Sequence, residues 1–175
     1  MLQIFSTQLQ GMFQTIKNDE EEVIEDSARA LAQAIVADGT IYIHGVGEMA
    51  AVTAEAQYGQ ERLPHCQALM TDNTIAPWTN RDRIILFARF ADDGDVVELA
   101  KSLQADGAVV IGVSAVRETE NPQLNEIADF HIDTKLLQPL VPTESGERIG
   151  FPAVMTALYV YYGLYLTTME IVEEQ

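Results

Sequence analysis

The chain has 175 residues, with 27 Asp and Glu against 10 Lys and Arg, a formal charge of −17 and a pI near 4.3. That balance, with no run of Lys or Arg, argues against DNA, RNA and anionic membrane partners, which bind through a basic surface. A length typical of one domain (about 100–200 residues) and 47% hydrophobic residues predict a single domain, 1–175, with its own core. Cys66 is the one cysteine, which excludes an intramolecular disulfide. With no basic residue before Lys17, it predicts a cytoplasmic protein without a secretory signal.

In chain order, Leu2, Phe5, Leu9, Met12, Phe13 and Ile16 fall at helical spacing up to Asn18-Asp19, where the spacing predicts a break. A second helix then carries Val23, Ile24, Ala28, Leu31, Ala32, Ile35 and Val36 on its apolar face and stops at Gly39. Residues 1–38 are thus read as two N-terminal helices. The period changes at 40–44, a β-prone run ending in Gly45-Val46-Gly47, followed by an alanine-rich helix to about Tyr58. Strands are expected at 67–70, 83–88, 108–114 and 130–133, with a helix over 96–104 that stops at Asp106-Gly107.

The stretch 149–169 carries no charge and is long enough to span a bilayer. Gly150, Pro152, Thr156 and Gly163 interrupt it, and its tyrosines are spread along it rather than set at its ends. It is therefore read as a buried terminal helix over 152–170, at a subunit contact. Strand and helix in alternation give an α/β fold, a three-layer α-β-α sandwich with a five-stranded parallel sheet spanning 40–133.

Ligands of such sheets sit beyond the carboxyl ends of the strands. The first such loop, Gly45-Val46-Gly47-Glu48-Met49, turns tightly and suits an anion. It also fits the dinucleotide pattern G-x-G-x-x-A, with Asp72 placed for a ribose hydroxyl, although Glu48 would oppose a pyrophosphate. His44 ends the strand beside this loop and could donate to a ligand or serve in catalysis. Ser114 ends the fourth strand and is a candidate hydroxyl contact. His131 reads as structural, and His65-Cys66 lacks the further partners a zinc site needs.

Four segments together resemble the sugar isomerase (SIS) domain family, and within it the phosphoheptose isomerases. The run Ile41-Tyr42-Ile43-His44-Gly45-Val46-Gly47 resembles the family's first strand and GNGGS loop. The segment from Asp82-Arg83-Ile84-Ile85-Leu86 through Asp95-Val96-Val97 resembles the strand and loop GDVLIGISTSGNSxxV. Val109-Val110-Ile111-Gly112-Val113-Ser114 followed by Ile127-Ala128-Asp129-Phe130-His131-Ile132 resembles VIxLT…ADxxI, and Glu147-Arg148-Ile149 opens the last helix as Asp-Arg-Ile does. The resemblance covers residues 1–172 and implies a flavodoxin-like topology, a sugar-phosphate ligand and a homodimer or homotetramer.

The departures bear on function. Glu48-Met49 stands where the family has Gly-Ser, and Arg89-Phe90-Ala91-Asp92-Asp93-Gly94 replaces a hydroxyl-rich phosphate loop. Asp92 and Asp93 would repel a phosphate, with Arg89 the partial offset. The resemblance puts Glu55 at a metal-ligand His, Gly59 at the catalytic Glu, Gly150 at a Gln and Leu158 at a second His. The expectation is a binder of a sugar phosphate or related carbohydrate derivative, with no metal and no other cofactor, and without metal-dependent isomerase chemistry. The alternatives are an active isomerase with Glu55 or Glu48 as base, a dinucleotide-binding protein, and a structural oligomerisation module. The polar loop 141–148 feeds the last helix, and from it Ser145 and Arg148, with Thr143, are expected to close over the cleft.

Overall fold

The computed structural model describes residues 1–174. The chain begins with α1 (Leu2–Val36), followed by β1 (Ile41–Gly45), a 3-10 turn at Gly47–Met49 and α2 (Ala50–Tyr58). Next come β2 (Cys66–Ala68), β3 (Met70–Thr71), β4 (Thr74–Ile75), β5 (Arg83–Phe90), α3 (Gly94–Ala105) and β6 (Val110–Ala115). The order closes with α4 (Leu124–Ile127), β7 (Phe130–Asp133), β8 (Val141–Pro142), β9 (Arg148–Ile149) and α5 (Ala153–Glu173).

Five strands pair in parallel in the order β2-β1-β5-β6-β7, the flavodoxin-like arrangement. Alternation along the strands divides the core. Ile43, Ile85, Phe87, Ile111 and Val113 face the layer of α1, α2 and α5, while Tyr42, Ile84, Leu86 and Val110 face α3 and α4. All of β6 is buried, as a central strand covered on both faces must be. Gly112 within it leaves room for its neighbours, since a Cβ there would stand 2.8 Å from Leu124 and 3.0 Å from the His131 ring. The predicted sandwich stands.

Three expectations are corrected. Residues 2–36 form one continuous helix of 35 residues, about 52 Å long, rather than two. Asn18 stays helical with its side chain accepting from Gln14 at 2.8 Å, and Glu20 is buried against the far end of the sheet. Tertiary contact overrides the weak local propensity of Asn-Asp: Phe13 stacks on Tyr159 at 4.5 Å, and Ile24 packs over Gly163. The second strand is shorter than expected and gives way to the β3–β4 hairpin. Asp72 and Asn73 are its two turn residues, both at positive φ (50° and 59°), as a type I′ turn requires. Asp72 is therefore a turn former and not the end of a core strand. The segment 149–169 is divided between β9 and α5, and α5 runs three residues past the expected end. No helix among the described residues is long and apolar enough to cross a membrane.

Candidate functional site

The strand order reverses between β1 and β5, because the chain leaves β1 toward β2 on one side and returns to β5 on the other. A crevice outside the carboxyl ends of these two strands is where such sheets hold ligands. Its walls are the loop after β1, residues 45–49, and the loop after β5, residues 90–93.

The first wall is rigid. The Gly45 N–H donates to Thr53 Oγ1 of α2 at 2.9 Å, and the Val46 N–H donates to Phe87 O at 2.9 Å. A Cβ on Gly45 would stand 1.9 Å from the Met49 carbonyl oxygen, so only glycine fits. Gly47 turns the chain at φ 58°, and the Met49 side chain is buried beneath it. Glu48 is left pointing outward, 38% exposed.

The second wall is shaped by a bulge. Between the pairs Phe87↔Val113 and Phe90↔Ala115, β5 advances three residues while β6 advances two. The extra residue breaks the alternation and re-aims Arg89. Its Nε donates to Glu48 Oε1 at 2.5 Å, an ion pair that spans the crevice. The Arg89 guanidinium holds the Glu48 carboxyl below the usual carboxylate range.

Asp92 and Asp93 do not confront the crevice as bare charges. Asp92, its side chain 4% exposed, takes a two-nitrogen fork from Arg117, with contacts at 2.9 and 3.1 Å from Nε and 2.9 Å from Nη2. Arg117 also lies 4.3 Å from the centroid of the Phe90 ring, and Phe90 meets Phe151 edge-on at 5.9 Å. Asp93 caps α3 through the Asp95 and Val96 N–H groups, at 3.0 and 3.4 Å. The expected repulsion is thus neutralised, in one case by a cation that the sequence reading passed over. Arg117 follows β6 much as Arg89 ends β5, so the rule of strand carboxyl ends could have found it.

The third strand end repeats the pattern. Lys135, two residues beyond β7, binds Glu20 of α1 at 2.7 Å and Asp133 at 3.4 Å. Asp133 accepts from the N–H groups of Val116 and Lys135, and Glu20 accepts from that of Asp133, so the loops after β6 and β7 are tied to the middle of α1.

The other expected contacts lie elsewhere. Ser114 is fully buried with its hydroxyl 2.8 Å from His131 Nε2. Burial pushes the His131 imidazole down to about 4, consistent with a structural role. Glu55 does not face the cleft, because its carboxylate accepts from Tyr162 of α5 at 2.7 Å and folds back over Gly59. His44 stays at the end of β1, part-buried, with burial lowering its pKa. The loop from 141 to 149 is a hairpin of β8 and β9. Ser145 bonds Thr143, and the Arg148 guanidinium donates to the Pro139 and Leu140 carbonyls at 2.7 and 2.8 Å. Phe151, just beyond the hairpin, meets Phe90 in the second wall.

Against known sequences, residues 1–172 match the family described as "Domain of unknown function (DUF2529)". The chain belongs to the DUF2529 family. A curated relative, YwjG of Bacillus subtilis strain 168, is 41% identical over 174 residues, 99% of each chain. Among solved structures, the hypothetical protein MJ1247 of Methanococcus jannaschii shares 16% identity at a TM-score of 0.61, over 99% of this chain and 89% of that one. Its structural description infers a molecular function of 3-hexulose-6-phosphate isomerase. The sugar isomerase domain of the RpiR transcription factor from Sphaerobacter thermophilus shares 15% at a TM-score of 0.56, over 99% and 98%. At such identities the likeness concerns the fold alone: this DUF2529 chain has an SIS-like fold.

Proposed function

We propose that the protein binds a sugar phosphate or related carbohydrate derivative in the crevice between residues 45–49 and 90–93, in a sensing or regulatory capacity and without metal-dependent isomerase chemistry. One observation carries the reading. In a chain of charge −17, three of the ten basic residues (Arg89, Arg117 and Lys135) stand at the carboxyl ends of three adjacent strands, each paired to a carboxylate. The pairing fixes the position of each cation on an acidic protein. A phosphate can take the guanidinium of Arg89. The SIS-like fold supports the same class of ligand, and the described likenesses include an isomerase assignment and a transcription factor domain.

Retained isomerase activity would need a base at the crevice. Glu55 is directed to α5, and Glu48 is held ionised by Arg89, which weakens it as a proton acceptor. A dinucleotide would need the acidic residue that Asp72 does not supply from its hairpin turn.

A thermal-shift panel of triose to heptose phosphates, the parent sugars, NAD(H) and NADP(H) tests the proposal. A ligand at 100 times its Kd stabilises by about 2.7 kcal/mol, or roughly 5–10 °C for a chain of this length. Stabilisation by sugar phosphates and not by the parent sugars is expected. A response to the dinucleotides alone, or to none of the panel, overturns the reading.

A further inference from the structure

Each cation at the strand ends has a carboxylate partner, yet the three pairs differ in kind. Arg117 grips the buried Asp92 with two nitrogens and stacks on Phe90, and Lys135 sits 31% exposed between Glu20 and Asp133. These are fixtures of the loops. Arg89 and Glu48 are 50% and 38% exposed and meet through Arg89 Nε and Glu48 Oε1. This third pair alone crosses the point where the strand order reverses. The register His44↔Leu86 and Gly45↔Phe87 brings the two strand ends level, so that Glu48 and Arg89 reach each other over the mouth.

The surrounding backbone leaves one freedom. The Gly45 N–H is held by Thr53, the Met49 N–H donates to the Val46 carbonyl at 3.1 Å, and Met49 is buried, so the loop on either side of Glu48 is held. The Glu48 side chain can swing off Arg89 without moving that loop. The guanidinium it vacates has the planar fork that suits a phosphate.

Resting on the reading of the crevice as a sugar-phosphate site, we infer that Glu48 is a built-in competitor for the ligand: its carboxylate occupies on Arg89 the place that the ligand's phosphate takes. Binding exchanges one anion for another on the same guanidinium. Glu48 thereby sets a threshold of ligand concentration, and it selects against weakly anionic ligands that cannot displace a carboxylate.

The test is calorimetric titration of the wild-type protein, Glu48→Gln, Arg89→Gln and the double variant with inorganic phosphate and with the panel's sugar phosphates. Exposed ion pairs are weak, so removing the competitor should tighten binding by about two- to fivefold. Arg89→Gln should weaken it by about tenfold or more, and Glu48→Gln should bring no gain in the Arg89→Gln background. A gain that survives there means general relief of negative charge and overturns the inference. So does weaker binding by Glu48→Gln, which would make Glu48 a ligand contact. If the wild type binds sugar phosphates and Glu48→Gln binds them equally, the competitor is refuted while the proposed function stands. If neither protein binds any of them, both fall.

Discussion

Arg117 shows how one side chain can hold a site it need not touch. It joins the loop after β6 to the loop after β5 through Asp92 and covers the face of Phe90. Truncation to Ala would strand the carboxylate of Asp92, 4% exposed, without a partner. Losing the partner of a charged, hydrogen-bonded group costs about 1.5–3 kcal/mol, and the half-exposed guanidinium places this pair toward the lower end. Arg117→Ala is therefore expected to lose about 1.5–2 kcal/mol in denaturant unfolding, and Asp92→Leu/Arg117→Met less. A loss below 1 kcal/mol for the single variant would show that the pair is only a surface contact. At this scale the sequence was legible where backbone geometry alone decides, as at Gly45 and Gly47. It was not legible where a side chain chooses between partners far apart in the chain. Nothing local in Asp92-Asp93 shows that one carboxylate meets Arg117 and the other caps α3, and nothing around Ser114 shows that its hydroxyl is spent on His131.

The element whose reading changed most is α1. Asn-Asp at 18–19 followed by Glu20, Glu21 and Glu22 has the makings of a helix start, because caps and anions are favoured there. The deciding terms are tertiary: Glu20 is buried at the end of β7, and the flanking turns run along α5. One helix and two helices make opposite demands of residue 18. Proline is well tolerated at the first turn of a helix but removes a hydrogen bond and clashes in its interior. Asn18→Pro is thus expected to lower stability by about 3 kcal/mol in urea unfolding; a change under 1 kcal/mol would restore a break at this position. The central strands β5 and β6, by contrast, were legible to within about two residues, because runs such as Ile84-Ile85-Leu86-Phe87 and Val110-Ile111-Gly112-Val113 are buried on both faces. The bulge in β5 that aims Arg89 was not, since an extra residue in one strand shows only against the register of its neighbour.

For the molecule as a whole, the charge of −17 takes on a second meaning. It disfavours polyanionic partners, and it also makes cations scarce enough that their position is informative. The fold gathers three of them at one edge of the sheet, Arg89 with Glu48, Arg117 with Asp92, and Lys135 between Glu20 and Asp133. A groove of ≈ 570 Å³ between α1 and α5 is lined by Glu21, Glu25, Glu170 and Glu174 around Ile24 and Leu166. The proposed ligand binds at the strand ends and not in this groove. Backbone amide NMR during titration with the panel's most stabilising sugar phosphate distinguishes the two most directly. A ligand at the strand ends gives shifts concentrated at Gly45–Met49, Arg89–Gly94 and Val116–Arg117; shifts confined to residues 17–25 and 159–174 would contradict that placement.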